Sequence, residues 1–183
     1  GIACILMGTG VPTTPTYIIL ASIAAPALGT LGVPLIATHF FVFYYGVLAD
    51  VTPPVALAAY AAAGIAGSEP MRTGLTAFRL SMGKALVPFM FVYTPALLFI
   101  DFTWTAFASA AFCGVVGIVA LSAAFTGYFR APLSRSANVV LALSGLVLVF
   151  NQFWPNIVGL VIVFAILGHN AMQARRATVA AVA

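Results

Sequence analysis

The sequence alternates long apolar runs with short interruptions that contain proline, glycine or polar residues. The longest runs predict helices that cross a membrane, the first of them kinked at Pro88 and Pro95. These predicted spans cover residues 80–100, 105–128, 137–150 and 156–169. Before them, apolar residues recur at i, i+4, i+7 and i+11 from Met71, which predicts an amphipathic helix capped by Ser68. The pattern as a whole predicts an all-α, polytopic membrane protein.

One apolar run, residues 34–67, is long enough to cross a bilayer but is interrupted near its middle. The interrupting residues are Asp50-Val51-Thr52-Pro53-Pro54. The prolines lack backbone N–H groups, and the ring of the first collides with the carbonyl four residues earlier, so the helix breaks here. Within a membrane, an unwound turn and an ionisable residue are tolerated where they line a polar site. Many secondary transporters build ion sites from broken helices, and we therefore predict a coupling-ion site at Asp50.

The N-terminal segment predicts a re-entrant helical hairpin. Residues 1–7 and 16–28 are apolar, but the second arm extends only about 20 Å as a helix. The hydrocarbon core of a bilayer is about 30 Å thick, so neither arm is long enough to span it. Between the arms lies a polar tip, Gly8-Thr9-Gly10-Val11-Pro12-Thr13-Thr14-Pro15. The alternative interpretation is an ordinary loop between two spanning helices.

Composition and charge placement indicate a membrane protein and give it an orientation. The chain of 183 residues is 63% hydrophobic and 5% charged, whereas a typical soluble domain has about 25% charged residues. The basic residues fall in three groups separated by two predicted spans each, so all three lie on one side of the membrane. These groups are Arg72, Arg79 and Lys84; Arg130 and Arg135; and Arg175 and Arg176. The positive-inside tendency makes this side, and the C-terminus, cytoplasmic.

Other kinds of chemistry have less support in the sequence. The His, Cys, Asp and Glu residues show no metal-ligand spacing, and there is no glycine-rich phosphate loop. The scattered basic residues do not form the patch that is typical of nucleic-acid binding. An intramembrane enzyme using Asp50 would need a second catalytic side chain close to it. Glu69 and Asp101 are predicted at the membrane surfaces, so neither is placed to pair with Asp50. A non-transporting assembly subunit would not explain the polar tip and the helix break together.

The polar tip and the broken helix resemble the large membrane subunit of tripartite ATP-independent periplasmic (TRAP) transporters. The similar motifs are Gly8-Thr9-Gly10-Val11-Pro12-Thr13-Thr14, Val42-Phe43-Tyr44, Asp50-Val51-Thr52-Pro53-Pro54-Val55-Ala56-Leu57-Ala58 and Ala63-Gly64-Ile65-Ala66-Gly67. The resemblance is closest to the fused permeases of the TAXI branch, whose extra C-terminal helices are similar to residues 102–176. It implies an elevator-type fold with two inverted repeats, of which the second hairpin and second broken helix are present here. We therefore expect a C-terminal fragment that lacks the N-terminal part of the permease.

The resemblance divides the chain into three parts and implies a function. Residues 1–67 would belong to the transport domain, residues 68–101 would form an interfacial amphipathic helix and a spanning helix, and residues 102–183 would add further membrane helices and a tail. The implied function is sodium-coupled import of an organic anion delivered by an extracytoplasmic binding protein, in a bacterial or archaeal cytoplasmic membrane. Membrane lipid surrounds such a protein, no enzymatic activity is expected, and no cofactor is expected besides Na⁺ as coupling ion. The alternative is an ion-coupled transporter that needs no binding protein.

The site residues follow from the chemistry of the ion. Na⁺ is a hard cation that prefers oxygen ligands, and carbonyls at the tip and the break, threonine hydroxyls and the Asp50 carboxylate can supply them. The predicted ion-binding residues are Gly8, Thr9, Gly10, Val11, Thr13, Thr14, Asp50, Val51 and Thr52, with Pro53 and Pro54 as the helix-breaking residues. The alternative roles are capping of the next helix by Thr13 and Thr14, and a hydrogen-bonded cap at the break for Asp50.

Overall fold

The computed structural model describes residues 2–8, 13–150 and 152–182, and these residues form nine α-helices and no β-strand. The helices are α1 (Ile2–Gly8), α2 (Thr13–Gly29), α3 (Leu35–Ala49), α4 (Leu57–Ala66), α5 (Pro70–Ser81), α6 (Val87–Tyr93), α7 (Trp104–Thr126), α8 (Arg135–Val147) and α9 (Phe153–Val182). Short 3₁₀ turns lie at Gly83–Leu86, Pro95–Leu98 and Leu148–Phe150. The all-α prediction is confirmed for this part of the chain.

Among the described residues, two helices are long and apolar enough to cross a membrane, Trp104–Thr126 and Phe153–Arg175. A third crossing requires Pro70–Ser81 and Gly83–Tyr93 to act as one span bent by 45°. The predicted span at residues 137–150 lies in the shorter apolar helix Arg135–Phe150, which extends about 24 Å and is less than the ~30 Å core. Four spans after the broken helix therefore stay a prediction.

The segment at residues 80–100 is divided, not kinked as predicted. Helix α5 ends at Ser81, and a 3₁₀ turn, α6 and a second 3₁₀ turn follow. Pro88 lies in the first turn of α6 and Pro95 begins a 3₁₀ turn, so each proline starts an element instead of bending one. The first division occurs where Gly83 lies against α7. A Cβ on Gly83 would be only 2.6 Å from the carbonyl oxygen of Ile118.

The predicted cap of α5 is also wrong by one residue. Glu69 is the capping residue, because its carboxylate accepts hydrogen bonds from the backbone N–H groups of Met71 at 2.9 Å and Arg72 at 2.6 Å. A carboxylate at this position is also favoured by the helix dipole. The Ser68 hydroxyl instead shares a hydrogen bond with the Thr73 hydroxyl at 2.9 Å.

The helices pack around two hydrophobic clusters. The first joins α1, α2 and α3 through the buried residues Cys4, Leu20, Ala21, Phe41, Val42, Tyr45 and Leu48. The second joins α7, α8 and α9 through Cys113, Ala120, Ala123, Ala124, Leu141, Leu148, Val163 and Leu167. Because lipid is as apolar as these side chains, close packing holds membrane helices together. A Cβ on Gly145 of α8 would lie 3.1 Å from the Gly117 carbonyl oxygen of α7, so the two backbones are in contact.

A polar clasp at Asn170 fastens α9 to the loop between α7 and α8. Asn170 is 3% exposed. Its Oδ1 accepts hydrogen bonds from the backbone N–H groups of Arg130 and Ala131, both at 3.1 Å, and its Nδ2 donates to the Ala131 carbonyl at 3.0 Å. A buried amide that uses both its donor and its acceptor holds the loop in one geometry.

We expect Asn170→Asp to destabilise the protein by about 1–3 kcal/mol, because the change replaces the donating amide with a carboxylate oxygen, so that this oxygen and the Ala131 carbonyl face each other as two acceptors at a buried position. The measurement is the thermal unfolding midpoint of the purified protein in detergent. Gln173→Glu is the matched control, since it makes the same amide-to-acid change on an exposed side chain of the same helix. An Asn170→Asp midpoint equal to that of the control would contradict the role of the clasp.

Candidate functional site

The polar interruption at Asp50 separates two helices. Helix α3 ends at Ala49 and α4 begins at Leu57, and residues 50–56 form a non-helical connection. The Thr52 carbonyl accepts a hydrogen bond from the Ala56 N–H, and the Asp50 carbonyl accepts one from the Ala58 N–H, each at 3.1 Å. The connection is therefore compact, and these two carbonyls each keep a second lone pair for another partner.

The start of α2 contacts this connection. Thr13 Oγ1 donates a hydrogen bond to Asp50 Oδ2 at 3.0 Å across 37 residues of sequence. Gly46, one turn before Asp50 on α3, makes room for Thr13, since a Cβ on Gly46 would lie 3.5 Å from Thr13 Cγ2. Asp50 is partly buried, and the positive end of a helix dipole favours a carboxylate beside it. Two predicted site residues from separate elements are thus neighbours.

Helix α5 closes the other side of the connection. Gly74 of α5 lies against it, because a Cβ on Gly74 would be 2.8 Å from Tyr60 Cε1 and 3.6 Å from both Pro53 Cγ and Ala56 Cβ. Tyr60 of α4 also donates a hydrogen bond from its hydroxyl to the Pro54 carbonyl at 2.8 Å. The two prolines that interrupt the helix are therefore held by contacts from α4 and α5.

The remaining predicted residues near Asp50 have different surroundings. Thr52 is 4% exposed, and its Oγ1 donates to the Leu48 carbonyl at 2.8 Å, as in a further turn of α3. Val51 packs against the first hydrophobic cluster. Thr14 is exposed next to Thr13. The ion-ligand role of these residues stays a prediction.

The predicted hairpin tip is only partly described. Gly8 is the last residue of α1 and Thr13 the first of α2. Thr9, Gly10 and Val11 lie outside the described residues, as does Pro12. Helix α2 extends about 25 Å, less than the ~30 Å core, and the re-entrant path of the two arms stays a prediction.

A groove of about 450 Å³ lies between α2 and α3 and reaches Thr13. It is lined by Thr13, Thr14, Tyr17, Ile36, His39, Phe40 and Phe43. Within it, the Tyr17 hydroxyl and His39 Nδ1 share a hydrogen bond at 2.9 Å. The pairing of His39 with Tyr17 was not predicted from the sequence. The available signal was spacing, since His39, Phe43, Gly46 and Asp50 occur at i, i+4, i+7 and i+11 and so share one face of α3.

These features together define a multi-pass helical membrane protein in which the start of α2 contacts an acid at the interruption between α3 and α4. Such a break is a feature of secondary transporters. The family described as "Tripartite ATP-independent periplasmic transporter, DctM component" matches residues 1–106, which is more than half of the chain. The chain belongs to this family of transporter membrane components. No curated protein and no solved structure matches it.

Proposed function

We propose that this chain carries a sodium site of a TRAP permease that imports an organic anion by sodium symport. The observation that supports the proposal is the 3.0 Å hydrogen bond between Thr13 Oγ1 and Asp50 Oδ2. It brings hydroxyl and carboxylate oxygens from α2 and from the helix break to one point, inside the part of the chain that matches the family. Oxygen atoms are the ligands that hard cations prefer.

The proposed site works by exchanging one partner of the carboxylate for another. Without the ion, the Thr13 O–H donates to Asp50. When Na⁺ binds, the cation takes the place of that proton donor, and Thr13 turns a hydroxyl lone pair towards it, since a hydroxyl has one donor and two acceptor positions. The carboxylate offsets the ionic charge, which is costly to place within a membrane. The bound ion thereby links Thr13 at the start of α2 with Asp50 at the break.

We also infer the class of substrate, the partner protein and the orientation of the chain in the membrane. The positive end of the α2 dipole favours an anionic group of the substrate near the groove. The family description names a periplasmic transporter, and we infer delivery by an extracytoplasmic binding protein. Within the family, the apolar helices after residue 106 favour the TAXI branch. The three basic groups favour a cytoplasmic C-terminus in a bacterial or archaeal cytoplasmic membrane.

The test is uptake of labelled organic anions by the intact permease in proteoliposomes. Uptake is measured with and without an inward sodium gradient, and with and without the binding protein. We expect uptake only when both are present. Sodium-driven uptake that needs no binding protein would contradict the tripartite assignment, and uptake that ignores sodium would contradict the site.

We expect Thr13→Val to raise the sodium concentration at half-maximal uptake by about tenfold, or about 1.4 kcal/mol, because valine removes a hydroxyl oxygen that the proposed site offers to the bound ion. Valine keeps the shape of threonine and removes its hydroxyl. Thr30→Val is the matched control, since the Thr30 hydroxyl is exposed and donates to the Ala27 carbonyl at the far end of α2. An unchanged sodium dependence in Thr13→Val would remove Thr13 from the site.

A further inference from the structure

A second groove lies between α7 and α9, outside the part of the chain that matches the family. Its volume is about 610 Å³. Apolar side chains such as Val115, Val119 and Phe164 form its walls, and among the described residues the charged ones that line it are Arg130 and Arg175. The groove is therefore amphipathic.

The charged and apolar parts of this groove lie at opposite ends. Helices α7 and α9 run in the same direction. Cys113, near the middle of α7, contacts Asn156 near the start of α9, whereas Arg130, which follows the end of α7, contacts Asn170 further along α9. The lining of α9 runs from Val163 to Arg175, a length of about 18 Å. Arg130 follows the end of α7 and Arg175 follows the apolar stretch of α9, so both arginines lie at the same end of the groove.

No acidic side chain of this chain is placed to neutralise the two arginines. The sequence contains three carboxylate residues. Glu69 accepts hydrogen bonds at the start of α5, and Asp50 accepts one from Thr13. Asp101 precedes the start of α7, and a helix of 23 residues separates it from Arg130, about 35 Å along the axis. Both guanidinium groups belong to exposed residues, so an external anion can reach them.

We propose that this groove binds an anionic phospholipid. The phosphate pairs with Arg130 and Arg175, because a guanidinium fork matches phosphate oxygens in a charge-assisted, bidentate geometry. One acyl chain lies along the apolar walls for the ~18 Å towards Val163. A basic pocket between membrane helices on the cytoplasmic side is suited to lipid head groups. Free phosphate has no apolar part that could fill the apolar length of the groove. The groove therefore favours a lipid over free phosphate.

Gly168 gives a way to close the groove without changing its charge. It lines the groove on α9, and a Cβ built on it meets no atom within 4 Å. Leucine is also a better helix former than glycine. Gly168→Leu therefore fills the acyl-chain channel while leaving the helix intact.

The test is lipid binding by the purified intact permease in detergent, measured by native mass spectrometry and by thermal stabilisation. The probes are phosphatidylglycerol, phosphatidylcholine with the same acyl chains, and inorganic phosphate. We expect the wild type to retain phosphatidylglycerol in preference to phosphatidylcholine, and phosphate to give no stabilisation. Retention of phosphatidylglycerol should fall by about 30-fold in an Arg130→Gln, Arg175→Gln double variant, since two charge contacts are lost.

Two controls separate the groove from general effects. Arg72→Gln with Arg79→Gln removes the same charge from α5 and should leave phosphatidylglycerol retention unchanged. Gly64→Leu is the control for Gly168→Leu, because Gly64 also has no atom within 4 Å of a built Cβ. Equal retention of the two lipids by the wild type would overturn the proposal. Stabilisation by phosphate alone, or full retention in Gly168→Leu, would overturn the acyl-chain part of it.

Discussion

Asp50→Asn in the intact permease is expected to abolish the stimulation of uptake by a sodium gradient, with a loss of more than about tenfold in sodium-driven uptake. Asparagine has the same shape as aspartate and keeps an oxygen that accepts the hydrogen bond from Thr13. The substitution therefore removes the charge while retaining the contact that joins α2 to the break. A neutral amide oxygen cannot offset the charge of a bound cation within the membrane. The loss should appear in sodium dependence and not in the thermal unfolding midpoint.

Asp101→Asn is the matched control for this variant. Asp101 is exposed in the segment before α7 and has a φ of 47°, a left-handed conformation that asparagine also adopts readily. The control should keep both stability and sodium dependence. Thr52→Ala is a companion variant that also removes a predicted ligand, although it frees the Leu48 carbonyl from a 2.8 Å hydrogen bond as well. Full sodium dependence in both Asp50→Asn and Thr52→Ala would end the assignment of a sodium site at this break.

Gly145→Leu is expected to destabilise the protein by about 3 kcal/mol, at the upper end of the range for overpacked cores. A Cβ at this position would lie 2.7 Å from Leu121 Cγ and 3.1 Å from the Gly117 carbonyl oxygen. Leu121 is only 2% exposed, so it has no free space into which to move. The carbonyl belongs to a helix backbone, and α7 and α8 would therefore have to separate. Without close packing, little else holds two apolar helices together in a membrane.

The measurement for Gly145→Leu is again the thermal unfolding midpoint in detergent. Gly64→Leu makes the same substitution on α4, where a built Cβ meets no atom within 4 Å, and it should leave the midpoint unchanged or raise it through helix propensity. Equal midpoints for the two variants would show that the contact between Gly117 and Gly145 does not hold α7 against α8.

The sequence predicted the elements whose ends are set by interactions between residues close together in the chain. The interruption after α3 was predicted because two consecutive prolines remove two backbone donors and the ring of the first collides with the preceding turn. Helix α7 was predicted at residues 105–128 and occurs at Trp104–Thr126, since its apolar run has no internal break. Its ends also carry local signals: the Thr103 hydroxyl accepts a hydrogen bond from Ala106 N–H, and Gly127 adopts a φ of 69°.

Contacts between distant segments account for what the sequence did not predict. The division after Ser81 depends on the close approach of Gly83 to α7, which no pattern within residues 80–100 reveals. The polar tip and the acid were assigned to one site from residue chemistry, but the pairing of Thr13 with Asp50 depends on how α2 packs on α3. The bond between Tyr17 and His39 crosses the same interface. Residue spacing predicts which side chains share one face of a helix. It does not predict which other helix packs against that face.

The packing of Gly74 against the break limits how the break can move. Because Gly74 leaves no space between α5 and the side chains of Tyr60, Pro53 and Ala56, a displacement of the break that keeps these contacts also displaces α5. Helix α5 carries Arg72 and Arg79, both exposed. Moving each arginine into the hydrocarbon centre costs about 2.5–3.5 kcal/mol. The resemblance to TRAP permeases implies an elevator-type movement, and in such a movement we expect the travel of the break to end where these two charges would enter the hydrocarbon core.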